Sequence, residues 1–144
     1  MTKVILSALA LTVLTVVIHA LGTLLVYRRV NRGWDERKSK QRLFPLTAEF
    51  LIARMVGGLL LLHLAEAIVW GLFFLLIGIF PGIESAVYFS LTSYTTVGYG
   101  DLLLKEPWRL LGPIEAAVGI LMLGWSTGLL VALLTRIYGE RKPA

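Results

Sequence analysis

Three long apolar runs, Val4 to Tyr27, Met55 to Phe80 and Ile114 to Tyr138, constrain this chain more than any other feature. The first holds 24 residues, about 36 Å as a helix and enough to cross a hydrocarbon core of roughly 30 Å. Inside a bilayer the backbone amides have no water to bond, so each run is expected to satisfy them internally as a helix. Composition agrees: 57% of the 144 residues are hydrophobic, 16% are charged and the mean hydropathy is +0.79, which excludes a soluble domain of this size. A signal peptide is the competing account of the first run. That run is long for such a peptide, and Ile18 stands where cleavage before Ala20 would need a small residue. With no cysteine, disulfides and thiolate metal sites are excluded.

The net charge of +5 is concentrated, with seven of the fourteen basic residues between Arg28 and Arg42. Basic residues directly after a span mark its cytoplasmic side, so the run reads as a topology signal rather than a nucleic-acid arm. It also makes anionic lipid headgroups a candidate partner, and Trp34 a candidate interfacial anchor. The expected division is a first membrane helix over 1–27, a solvated basic connector over 28–45, a second membrane unit over 46–138 and a cytoplasmic tail over 139–144. Three spans then put the N-terminus outside the cell membrane and the C-terminus in the cytoplasm. No helix carries arginine at every third position, so voltage sensing of the usual kind is not expected.

Pro45 and Thr47 offer a start for the second helix, expected over 46–80 and closed by Pro81-Gly82. Inside it stand His63 and Glu66, three residues apart and hence on one face. An ionisable group at such depth should not face lipid. On the first helix Ala8, Thr12, Thr15, His19 and Gly22 form a small and polar stripe of the kind that packs on another helix. His19 lies eight residues before Tyr27, and His63 eight after Met55. Antiparallel helices therefore bring the two histidines to one depth, and Glu66 is predicted against Thr12, Thr15 and His19 as a clamp for the first helix.

The segment Ser85 to Asp101 should enter as a short helix and return extended, because glycines alternate with β-branched and aromatic residues in Thr96-Val97-Gly98-Tyr99-Gly100. Gly98 and Gly100 reach positive φ freely, which lets successive carbonyls face one side. Thr-Val-Gly-Tyr-Gly-Asp, residues 96 to 101, resembles the selectivity-filter signature of potassium channels, and the likeness covers roughly Gly58 to Tyr138. It implies an all-α membrane protein with three transmembrane helices plus a re-entrant pore helix and filter loop (84–101), assembled as a homotetramer because one chain supplies one loop. It implies K+ ligation by Thr96, Val97, Gly98 and Tyr99 with Gly100 completing the filter, and an outer mouth at Asp101. Where the family often carries two tryptophans on the pore helix, this chain has Tyr88 and Phe89, so the aromatic packing there is expected to be less constrained.

Gly112-Pro113 punctuates the start of an inner helix over 112–138, with Glu115 in its first turn. By the resemblance a glycine partway along acts as a gating hinge; Gly119 fits best and Gly124 next, while simple close packing of helices is the alternative. The function expected is passive, potassium-selective conduction, with no cofactor beyond the permeant ion. One alternative is a non-conducting accessory subunit that keeps the pore fold. Another is an intramembrane metalloenzyme using His19, His63 and Glu66, for which no ligand-spacing motif speaks.

Overall fold

The structure, a computed structural model, describes residues 1–39 and 47–139. Helix α1 spans Thr2–Ser39, α2 Thr47–Leu76, α3 Ile83–Tyr94 and α4 Leu111–Gly139, with a single 3-10 turn at Trp108–Leu110 before α4. Among the described residues there is no strand. Helices α1, α2 and α4 are long and apolar enough to cross a membrane; α3, at 12 residues, is too short. Helix α2 lies against both α1 and α3, and α4 touches all three.

One stripe of α1 faces inward. Val4, Ala8, Leu11, Thr15, His19, Thr23, Val30 and Trp34 are buried, whereas Leu6, Leu9, Val13, Leu21 and Leu25 are exposed. Steps of three, four and seven keep the stripe on one side of a 3.6-residue helix. The outward leucines need no cover in lipid, where packing of small and polar side chains, not hydrophobicity, joins helices. Of the stripe read from the sequence, Ala8, Thr15 and His19 are buried, and Thr12 and Gly22 are half-buried.

Two apolar cores result. One joins Val4, Ala8 and Leu11 of α1 to Trp70 and Phe74 of α2, Phe89 and Tyr94 of α3, and Val118 and Met122 of α4. The other joins Val30 and Trp34 to Leu51, Met55 and Leu59 of α2 and to Leu133 and Ile137 of α4. The buried polar side chains His19, Thr23, Glu66 and Ser126 fall between them along the helices.

Three boundaries differ from the sequence expectation, each for a local reason. The break predicted after Tyr27 is absent, since α1 continues to Ser39. Val30 and Trp34 continue its buried face, so Trp34 is a core residue at 2% exposure and not an interfacial anchor. Arg28, Arg29 and Arg32 occupy the exposed face. Residues 40–46, including Pro45, lie outside the described residues, as do 140–144 of the tail. Helix α2 stops at Leu76 rather than Phe80, because Gly78 takes φ +73. Helix α4 begins at Leu111, which moves Glu115 out of the first turn.

Candidate functional site

Helix α3 ends at Tyr94, and the chain then leaves helical geometry. The amides of Thr95 and Thr96 still donate to Leu91 O (3.2 Å) and Ser93 O (2.9 Å), and that of Gly98 donates to Thr92 O (3.0 Å). Thr96, Gly98 and Gly100 have φ of +62, +51 and +80, alternating with Val97 and Tyr99, which do not. Residues of positive φ thus alternate with residues without it, and the chain runs on as a non-helical ribbon. Glycine adopts positive φ without a Cβ penalty at 98 and 100; Thr96 bears that penalty. All six residues from Thr95 to Gly100 are exposed in the single chain, Val97 at 52% and Tyr99 at 72%.

The segment is anchored at both ends. Asp101 accepts a hydrogen bond at Oδ2 from the Tyr88 hydroxyl at 2.8 Å, which raises the pKa of that phenol. Phe89 is buried with its ring centroid 5.4 Å from Phe74 and 5.3 Å from Phe80. The aromatic pair expected to be loosely held is therefore engaged at both positions. At the other end α4 crosses the C-terminus of α3 so closely that a Cβ on Gly119 would collide with the carbonyl oxygen of Tyr94. Helix α4 runs unbroken through Gly119, and Gly124 and Gly128 have nothing within 4 Å of a would-be Cβ. Close approach is thus what Gly119 provides in this conformation. A pocket of about 770 Å³ opens beside the segment, lined by Phe89, Thr92, Thr96, Gly98, Gly112 and Pro113 among others.

Behind Tyr94 the polar residues of three further helices meet. His19 Nδ1 lies 2.9 Å from Glu66 Oε1, joining α1 to α2 as the sequence predicts. The other carboxylate oxygen, Oε2, accepts a short hydrogen bond from the Tyr94 hydroxyl. Glu66 therefore serves α3 as well as α1, which corrects the expectation of a clamp for α1 alone. Thr15 is not a Glu66 partner: its Oγ1 accepts from Trp70 Nε1 at 2.9 Å and donates to Leu11 O at 2.8 Å. His63 sits with Nδ1 3.0 Å from the Tyr94 hydroxyl and Nε2 3.0 Å from Ser126 Oγ of α4. Tyr94, Trp70 and Ser126 were not singled out from the sequence. Tyr94 falls one residue before the Thr95-Thr96 pair and could have been found by asking what a helix end beside the signature must pack on. Glu115 is fully buried near Ser90, with neither carboxylate oxygen partnered by a described residue.

Three helices long and apolar enough to cross a membrane, with a short helix and a ribbon between the second and third, define a polytopic membrane protein. A family model described as ion channel, a two-transmembrane-helix domain, matches residues 59–136. The match takes in most of α2, all of α3 and nearly all of α4, and the chain belongs to this ion channel family, with α1 as an additional helix. No curated protein and no solved structure gives a significant match to it.

Proposed function

We propose that four copies of this chain assemble around an axis to form a potassium-selective channel. The observation that carries this reading is the alternation of positive φ at Thr96, Gly98 and Gly100 at the end of a short helix, on a segment that the single chain leaves exposed. Irregular backbone at membrane depth is stable only where it is covered by protein or lines a watery path, so this ribbon needs neighbours. Four ribbons facing one another would stack the carbonyl oxygens of Thr96, Val97, Gly98 and Tyr99, with the Thr96 hydroxyl, into rings that replace the water shell of K+. Gly100 would complete the filter and Asp101 would stand at the outer mouth. The negative C-terminal end of α3 would point at the axis, where a cation gains from it.

In this arrangement the basic face of α1 and the C-terminus lie in the cytoplasm, the N-terminus lies outside, and conduction is passive. The test is flux from vesicles containing the purified full chain, in K+ and then in Na+. Potassium flux should exceed sodium flux by orders of magnitude, and Gly98→Ala should abolish the difference, because its φ of +51 penalises a Cβ. Equal passage of both ions by the unaltered protein would refute the proposal.

A further inference from the structure

We infer that the buried cluster His19, His63 and Glu66 is a binding site for a divalent d-block cation of the zinc type, placed between α1 and α2 beneath the end of α3. Each residue offers one donor atom, and the three atoms lie within 4.8 Å of one another. Donors around a tetrahedral zinc stand about 3.3 Å apart, given metal–ligand bonds of about 2.0–2.1 Å. His19 Nδ1 lies 2.9 Å from Glu66 Oε1 and His63 Nδ1 3.6 Å from Glu66 Oε2, so the two histidines flank the two oxygens of one carboxylate at separations that straddle that figure. The imidazole centroids are 5.3 Å apart and tilted by 36°, so the two rings stand side by side at the carboxylate.

The surroundings suit a metal as well as the donors do. Tyr94 supplies a hydroxyl 3.0 Å from His63 Nδ1, in position to be a fourth donor. Ser126 Oγ lies 3.0 Å from His63 Nε2 and 3.4 Å from His19 Nε2, where an outer partner fixes the orientation of a ligating imidazole. Two imidazoles and one carboxylate favour zinc-type cations over Mg2+ or Ca2+, which take mostly oxygen donors in larger number. The side chains of His19 and Glu66 have no exposed surface and that of His63 retains 11%, so the ligands are shielded from water but reachable from the His63 side. A cation held here would cross-link α1 to α2 and fix Tyr94 from behind.

The chain has two histidines in all, both in this cluster, and no cysteine. Any imidazole seen around a bound metal in untagged protein therefore reports this site. The experiment is titration of purified, untagged full-length protein in detergent with Co2+ as a spectroscopic probe and with Zn2+, alongside Mg2+ and Ca2+ arms, followed by X-ray absorption at the zinc edge. One Co2+ per chain with the intense visible bands of low coordination is expected, together with two imidazole nitrogens around Zn2+ and no competition from Mg2+ or Ca2+. His19→Gln and His63→Gln should each weaken binding by more than about tenfold. Wild-type protein that takes up no Co2+ or Zn2+ overturns the inference, as does bound Zn2+ with fewer than two imidazoles, and neither result depends on a variant that folds. Retention of full affinity by a folded His19→Gln variant overturns it too. Metal uptake is read without ion flux, so it stands or falls separately from conduction.

Discussion

Replacing Gly119 with alanine separates two roles that a glycine in α4 can play. A Cβ there meets backbone: the carbonyl oxygen of Tyr94 first, then its carbonyl carbon at 2.9 Å and its Cα at 3.2 Å. Ordinary contact begins at 3.4 Å, and a peptide group at the buried end of α3 cannot rotate aside as a long side chain would. Helix α4 must therefore back away from α3 by at least the half ångström missing at the carbonyl carbon, and further to clear the oxygen. Overpacking of this order costs about 1–3 kcal/mol per chain. For a chain of this size that is a fall in Tm of roughly 3–10 °C.

The displacement falls on the residue that leads into the 95–100 ribbon, so flux should suffer along with stability. The assay is thermal unfolding of the purified protein followed by vesicle flux, with Gly124→Ala as the control. Position 124 has no atom within 4 Å of a Cβ, so alanine there should be neutral within the chain or stabilising by up to about 0.5–1 kcal/mol through helix propensity. A hinge at Gly119 predicts a different pattern, in which the alanine variant keeps wild-type stability and changes only the open fraction. Wild-type Tm and wild-type flux in Gly119→Ala would refute the close-approach account altogether.

Removing the Glu66 carboxylate as Glu66→Ala takes away the partner of His19 Nδ1 and one of the two partners of the Tyr94 hydroxyl in a buried site, at about 1–3 kcal/mol. Thermal melts should show this loss, whereas Glu66→Gln, which keeps an acceptor for Tyr94, should lose less; equal melts for both variants would argue against it. Trp34→Ala should cost about 3–5 kcal/mol, since the side chain is 2% exposed between α2 and α4, and a surface-like loss under 1 kcal/mol in denaturant titrations would place Trp34 outside the core. The Tyr88 phenol has its pKa raised by donating to Asp101, so the contribution of this bond persists below the ordinary phenol range near 10 and disappears as pH rises through the raised value. Stability differences between wild type and Tyr88→Phe measured from pH 7 upward should therefore stay level to about pH 10 and vanish only above it.

Much of this arrangement is legible in the sequence because the bilayer leaves few options. Length and hydropathy identify the three long helices, and the glycine alternation at 98 and 100 announces a ribbon where a helix would otherwise continue. The depth of His19 and His63 follows from counting residues from the basic end. Helix continuity past Tyr27 was less visible, because polarity rises sharply there and only Val30 and Trp34 carry the buried stripe onward. Polarity by itself does not end a helix; Arg28, Arg29 and Arg32 are good helix formers on a face that meets solvent or headgroups. The second partner of Glu66 was hidden for another reason. Tyr94 is 28 residues away, on an element whose angle to α2 no periodicity encodes.

Tyr94 is where the separate constraints meet. Its side chain is held from one side, by Glu66 Oε2 and His63 Nδ1, while its backbone carbonyl is covered from the other by the bare Cα of Gly119. Through Glu66 the hydroxyl is linked onward to His19, and so to α1, which lies outside the matched channel domain. Neither contact alone would fix the last turn of α3, because a hydrogen bond leaves the helix free to pivot and a close approach leaves it free to slide. Together they restrain both motions one residue before the chain departs from helical geometry at Thr95. The additional helix is thus tied by two hydrogen bonds in series to the start of the ribbon, whose backbone the proposed conduction would use.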